Sequence, residues 1–259
     1  MKFPKYLSLL IAALLVSLSL SSTVRTAAAE PTSFSEAQKS ELHSLIRDYL
    51  ISNPEIIVEV MEALDAKQKI ADAEQQKKAI ATNRDMLFHD TASYVAGNSD
   101  GNVTIVEFFD YQCGYCKKAF GDLMKTVEED GNIRLVFKEF PILGPESVLA
   151  SHAAIAAMDQ GKYLEFHAAL MGAKGALDET RIFDIAEMAG LDVARLKADM
   201  KAREGEIDGV IDRSYELARA LGVEGTPAFV VGDQFVPGAV NKDRLKEIVE
   251  EARTGCISC

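Results

Sequence analysis

Val103-Thr104-Ile105-Val106-Glu107-Phe108-Phe109-Asp110-Tyr111-Gln112-Cys113-Gly114-Tyr115-Cys116 is the stretch from which the rest of this protein is read. Its first seven residues form a short apolar run rich in β-branched and aromatic side chains, the pattern of a buried strand. From Cys113 onward, Phe120, Leu123, Met124 and Val127 recur at helical spacing. A strand that runs into a helix delivers Cys113 to the helix's first turn, where unsatisfied amides and the helix dipole favour a thiolate over a thiol. Cys116 is then placed to reach back and resolve a mixed disulfide. A bridge across two residues closes too small a loop to add much stability, so the pair reads as working chemistry rather than a staple. The spacing alone also fits half a zinc site, although the nearest histidines are distant at His89 and His152.

Working outward, residues 133–140 form a second strand closed by Pro141, and residues 146–221 are helical throughout, punctuated by Gly161, Gly175 and Gly190. Two further strands, 228–231 and 234–236, flank Gly232-Asp233 as a hairpin, and Asn241 caps a last helix through Arg253. The order strand, helix, strand, helical stretch, two strands, helix predicts an α/β thioredoxin fold carrying an inserted helical domain at about 142–221. Gly97 to Gly101 is a turn-rich break that marks the start of this domain, expected to span 97–253. Gly225-Thr226-Pro227 stands just before the third strand. Pro227 is either a cis proline, which would set the Thr226 backbone beside the disulfide to pair with a substrate segment, or an ordinary trans proline before an edge strand.

The residues from Glu107 to Cys116, the later Lys138-Glu139-Phe140-Pro141, and Gly225-Thr226-Pro227 resemble the DsbA-like family of periplasmic thiol oxidoreductases over about 100–253. The N-terminal helices with Asn53-Pro54-Glu55 resemble the oligomeric branch of that family exemplified by ScsC (suppressor of copper sensitivity C) proteins. The resemblance implies a thioredoxin fold with a helical insertion, Cys113 as nucleophile, Cys116 as resolving partner and cis-Pro227 preceded by Thr226. It also implies that Glu107 and Lys138 form a charged pair beneath the site that carries protons to or from Cys116. On strand parity alone Glu107 is equally well a solvated residue. No cofactor and no resident metal are implied. The partners it implies are misfolded or reduced exported proteins, and a membrane redox partner that resets the active pair.

The strongly oxidising DsbA type has Pro-His between its cysteines, whereas this protein has Gly114-Tyr115 and so lacks the histidine that stabilises the thiolate. A less stabilised reduced form makes a weaker oxidant, nearer about −180 than about −120 mV. Gly-Tyr, with Thr before the proline, is similar to the disulfide isomerase DsbC. The expected activity is therefore isomerase or reductase, with a DsbA-type oxidase as the alternative.

The first 29 residues have the order of a secretory signal: Lys2 and Lys5, an apolar run from Leu7 to Leu20, then Ala27-Ala28-Ala29. Cleavage is expected after Ala29, with release into the periplasm; the other reading is an anchor that stays attached. Loss of this segment removes Lys2, Lys5 and Arg25 and no acid, taking the formal charge from −12 to −15. So acidic a protein argues against nucleic-acid binding and against docking on anionic lipid.

Residues 30–66 carry Leu42, Leu45, Ile46 and Tyr49 on one helix and Ile57, Val60, Met61 and Leu64 on a second, which starts at Asn53-Pro54. These stripes either pack on the main domain or bury themselves against copies from other subunits, and the second reading makes the protein a homo-oligomer. Residues 67–96 read as an exposed connecting helix, rich in Ala, Gln, Lys and Glu.

Cys256 and Cys259 lie in the tail 254–259. An inert terminal disulfide, a relay to the active pair and a soft-metal clip for Cu(I) or zinc all fit them. His152 and His167 share helix faces with Ala and Leu and read as histidines bonded locally inside the insertion. Two other function classes compete with the leading one: a copper-tolerance protein using thiols as ligands, and a scaffold whose thioredoxin domain is vestigial.

Overall fold

The computed structural model describes residues 34–255 and divides the protein into two units, 1–63 and 64–259. The signal segment and Cys256 and Cys259 lie outside the described residues.

In the first unit, α1 (Glu36–Ser52) opens with a capping box: the Gln38 amide donates to Ser35 Oγ, and Gln38 Oε1 accepts from the Ser35 amide. It stops at Asn53, whose successor Pro54 cannot continue a helix, and α2 (Glu55–Thr82) begins at once. No residue of α1 is buried, and Leu45, Tyr49, Val60 and Met61 are each more than half exposed.

α2 continues into the second unit, where its end is not the exposed connector that its composition suggests. Ile80 is buried with Leu87 and Phe88 of α3 (Arg84–Phe88). Residues 95 and 96, also expected within the connector, join Gly97 in the strand β1 (Val95–Gly97). A Cβ at Gly97 would sit 2.5 Å from the Ile133 carbonyl oxygen, so β1 reaches its neighbour only because a glycine stands there. The Gly97–Gly101 break is thus a turn within the sheet and not a domain boundary.

The remaining elements follow the predicted order. They are β2 (Val103–Phe109), α4 (Gly114–Asp130), β3 (Ile133–Glu139), then the helices α5 (Pro145–Ala157), α6 (Tyr163–Gly172), α7 (Glu179–Met188), α8 (Val193–Ala202) and α9 (Glu204–Leu221). The backbone returns to the sheet with β4 (Ala228–Val231) and β5 (Gln234–Pro237) and ends in α10 (Lys242–Thr254). The sheet order is β1-β3-β2-β4-β5, with β2 parallel to β3 and every other pair antiparallel.

β2 is central and buried on both sides, which is why it reads as a continuous apolar run rather than an alternating one. One face, with Ile105, Phe109, Leu135 and Phe137, shares a core with α4, α10 and the inserted helices through Leu123, Ile248, Phe166 and Ile182. The other, with Val106, Phe108 and Val136, packs against Ile80, Leu87, Phe88, Leu217 and Leu221. Among the described residues no helix is long and apolar enough to cross a membrane.

Candidate redox site

β2 ends at Phe109, and Asp110 shapes the turn that follows. Its Oδ1 accepts from the Gln112 amide at 2.7 Å and from the Ser147 hydroxyl at 2.7 Å, and its Oδ2 accepts from the Leu143 amide at 2.9 Å. The Cys113 amide donates to the Asp110 carbonyl at 3.1 Å, which brings Cys113 to the N-cap of α4. There its Sγ accepts from the Cys116 amide at 3.3 Å, as a serine hydroxyl does at an ordinary helix start.

The Thr226–Pro227 bond is cis, and the Thr226 carbonyl lies 3.2 Å from Cys113 Sγ, close enough to accept the thiol proton. Cys113 keeps 6 % of its surface and Cys116 none, so an incoming disulfide meets Cys113 first. Both thiols are free.

The electrostatics separate the two sulfurs. The Cys116 thiol donates to Cys113 and is the largest influence holding the Cys113 thiol down to about 5, against the opposing effect of burial. The Thr226 side chain and the amides of Cys116 and Tyr115 assist. That same bond, together with burial and the charge of Glu107, pushes the Cys116 thiol far above its ordinary value. Cys113 is therefore the thiolate near neutral pH, and Cys116 holds its proton until something takes it.

Glu107 lies on the α4 face of β2, almost fully buried, and its Oε2 has no hydrogen-bond partner among the described residues. Burial pushes it up to about 8, and the charges of Cys113 and Glu139 add to the effect. The expected pair with Lys138 is not formed. In the parallel register Glu107 lies opposite Phe137, whereas Lys138 lies opposite Phe108 and so points to the other side of the sheet. There Lys138 Nζ donates to the Met86 carbonyl at 2.7 Å and the Ser93 hydroxyl at 2.8 Å, and pairs with Asp90 at 3.1 Å. Burial lowers the Lys138 ammonium while Asp90 resists that shift.

The acid that shares Glu107's face is Glu139, which sequence reading passed over. Its Oε1 accepts from the Tyr163 hydroxyl at 2.8 Å and the Tyr111 hydroxyl at 3.2 Å, and its Oε2 from Ser151 at 2.7 Å. Burial outweighs these three bonds and raises it to about 8. The Tyr111 oxygen also lies 2.9 Å from His167 Nδ1. His167 Nε2 has no partner among the described residues, and the ring sits among Phe109, Phe120 and Phe137. Burial lowers this ring to about 3, so it stays neutral. His152 pairs with Asp208 at 3.0 Å. His152 is thus bonded inside the insertion, whereas His167 is bonded outside it, to Tyr111. Asp110, three residues before Cys113, carried a signal that was available in the sequence: an Asx turn. Glu139 and His167 carried none, since only the packed fold brings them to Tyr111.

A dithiol at the start of a helix, a cis proline against it and a buried acid below it on a mixed sheet define a thiol–disulfide oxidoreductase of thioredoxin fold. The protein belongs to the DsbA-like thioredoxin family, whose sequence profile matches residues 104–250; that of the copper resistance protein ScsC N-terminal domain matches residues 38–71. Among solved structures, it is similar to a thioredoxin-like oxidoreductase from Silicibacter pomeroyi, with 48% identity, a TM-score of 0.64, and coverage of 66% of this protein and 98% of that one. Proteus mirabilis ScsC in a transitional conformation is 35% identical over 86% of this protein and 98% of its own length, with a TM-score of 0.63. A curated relative, the Na(+)/H(+) antiporter NhaA 1 of Salinispora arenicola, is 31% identical over 164 residues, which are 62% of this protein, and the match spans about a quarter of that relative's length.

Proposed function

We propose that the protein is exported to the periplasm and there rearranges or reduces wrong disulfides in other proteins, rather than forming new ones. The observation behind this reading is Gly114-Tyr115 between the cysteines, which supplies no histidine to stabilise the Cys113 thiolate, so the reduced form is less stabilised and the protein a weaker oxidant. The signal-like order of the first 29 residues supports export.

The chemistry is thiol–disulfide exchange. The Cys113 thiolate attacks one sulfur of a substrate disulfide, forming a mixed disulfide and expelling the other sulfur as a thiolate. Cys113 then no longer carries charge, and one of the influences that raises Glu107 disappears. The Glu107 carboxylate becomes available to take the Cys116 proton, and the Cys116 thiolate attacks Cys113 to release the substrate thiolate. In isomerisation a substrate thiol makes that last attack instead, and Cys113 leaves reduced. A membrane-bound partner would keep the pair reduced between cycles. The exposed apolar stripes of α1 and α2 support a homo-oligomer assembled through residues 30–66.

The test is recovery of activity by a substrate with scrambled disulfides. The full-length protein is expected to restore it and the Cys113→Ser variant is not. Equal rescue by that variant excludes catalysis by Cys113, and oxidation of a reduced substrate outpacing rescue of a scrambled one would reverse the assignment to an oxidase.

A further inference from the structure

A cleft of about 730 Å³ runs up to Thr226, the residue whose carbonyl meets the attacking sulfur. One wall is the cis-Pro loop and the edge hairpin, with Thr226, Pro227 and Phe235; the other is the second half of α2, with Asp72, Gln75 and Gln76. Thr226 joins the cleft to the active pair, because its carbonyl lies 3.2 Å from Cys113 Sγ. Residues 72, 75 and 76 follow the i, i+3, i+4 spacing of a single helix face, and Ile80 one turn later continues that face. The helix is fixed in this position. Ile80 is 2 % exposed and packs in a cluster with Leu217 and Leu221. The Gln76 side-chain amide donates to the Leu221 carbonyl at 3.5 Å, and Lys77 Nζ stands 3.4 Å from Asp233 on the β4–β5 turn.

We propose that this face of α2 is one side of the polypeptide-binding site, and that Asp72, Gln75 and Gln76 help determine which extended segment is presented to Cys113. The inference rests on the assignment of Cys113 as the nucleophile toward protein disulfides. Three features commit the cleft to an extended polypeptide. It reaches Thr226, whose carbonyl lies 3.2 Å from Cys113 Sγ, so a segment held along it runs past the disulfide under attack. The Thr226 amide finds no acceptor among the described residues, which leaves a backbone donor free at its head. Each glutamine side chain offers both a donor and an acceptor, the pair of functions that backbone carbonyl and amide groups need regardless of sequence. Pro227 and Pro237 remove two amides from the opposite wall, so the substrate's hydrogen bonds have to come in part from α2. The second half of α2 would then do more than connect; it is part of the substrate site.

The experiment traps mixed disulfides on the full-length protein bearing Cys116→Ser. Two probes are compared: oxidised glutathione, and a peptide of several residues whose single cysteine is disulfide-linked to glutathione. Glutathione alone is too small to span the cleft, whereas the peptide extends along it. Gln75→Trp places bulk in the cleft from an exposed helical position. A second variant, with Asp72, Gln75 and Gln76 all changed to alanine, removes the polar wall while favouring the helix. In both, the ratio of the peptide rate to the glutathione rate is expected to fall about tenfold. A ratio equal to that of the parent, whether both rates hold or both drop together, overturns the role of α2. Failure of the parent Cys116→Ser protein to trap either probe would instead overturn Cys113 as nucleophile, and this inference with it.

Discussion

Cys113 and Cys116 differ in acidity although only two residues separate them, and the cause is asymmetric hydrogen bonding. One sulfur receives a thiol proton and two amides; the other gives that proton away above a buried carboxyl group. In the proposed exchange Glu107 takes the last proton, whereas Lys138, on the opposite face, pairs with Asp90. Glu107→Gln is therefore expected to slow release of substrate from the mixed disulfide by about a hundredfold, the size of a lost general base. Lys138→Met is expected to leave that rate unchanged, because the charge it removes neutralises Asp90 and not the active site. Single-turnover release followed by fluorescence distinguishes them, and equal slowing in the two variants would show that the faces of the sheet do not insulate one from the other.

Among the elements, α1 and the start of α2 have the least to hold them in isolation. Leu45 and Val60 are 66% and 58% exposed, which is unfavourable for helices that assemble with nothing. Replacing both with glutamate is expected to reduce the mass measured by light scattering to that of a single subunit. Deleting residues 30–66 should do the same, and an unchanged mass in both would contradict the oligomer. The thiolate titration of Cys113 should stay where it is, since the groups that lower it lie in the first turn of α4 and the cis-Pro loop. The break between the two helices was legible in Asn53-Pro54, and so was the N-cap of α10 at Asn241, whose side chain accepts from the Arg244 amide at 2.9 Å. β1 was not legible: three residues ending in glycine carry no strand pattern, and it exists only because β3 offers it an edge.

At the scale of the molecule, two carboxylic acids lie buried on one face of the sheet, each raised to about 8 from an ordinary value of 4.5. An acid whose folded pKa is raised binds its proton more tightly in the folded state, so its contribution to stability is complete below about 4.5 and is lost as pH rises through about 8. The protein is expected to lose on the order of a few kcal/mol of stability per group between pH 5 and pH 9, measured as urea midpoints. Glu107→Gln and Glu139→Gln should each flatten the curve, and a parent midpoint that rises across this range would refute the assignment of raised acids.

Taken alone, the sequence determined whatever depends on neighbours along the backbone. A strand feeding a helix that starts at Cys113, the order of elements and the insertion all follow from local periodicity and turn chemistry. The partners of the buried charges were decided only by the tertiary structure. Glu107, Lys138 and Glu139 stand within a few residues of strand ends in sequence, and strand parity says only that neighbours alternate. The register of β2 on β3, set by packing of side chains far apart in sequence, puts Glu107 with Glu139 and sends Lys138 to Asp90. The same long-range packing seats Ile80 in the core and turns a connecting helix into a wall of the cleft beside Cys113.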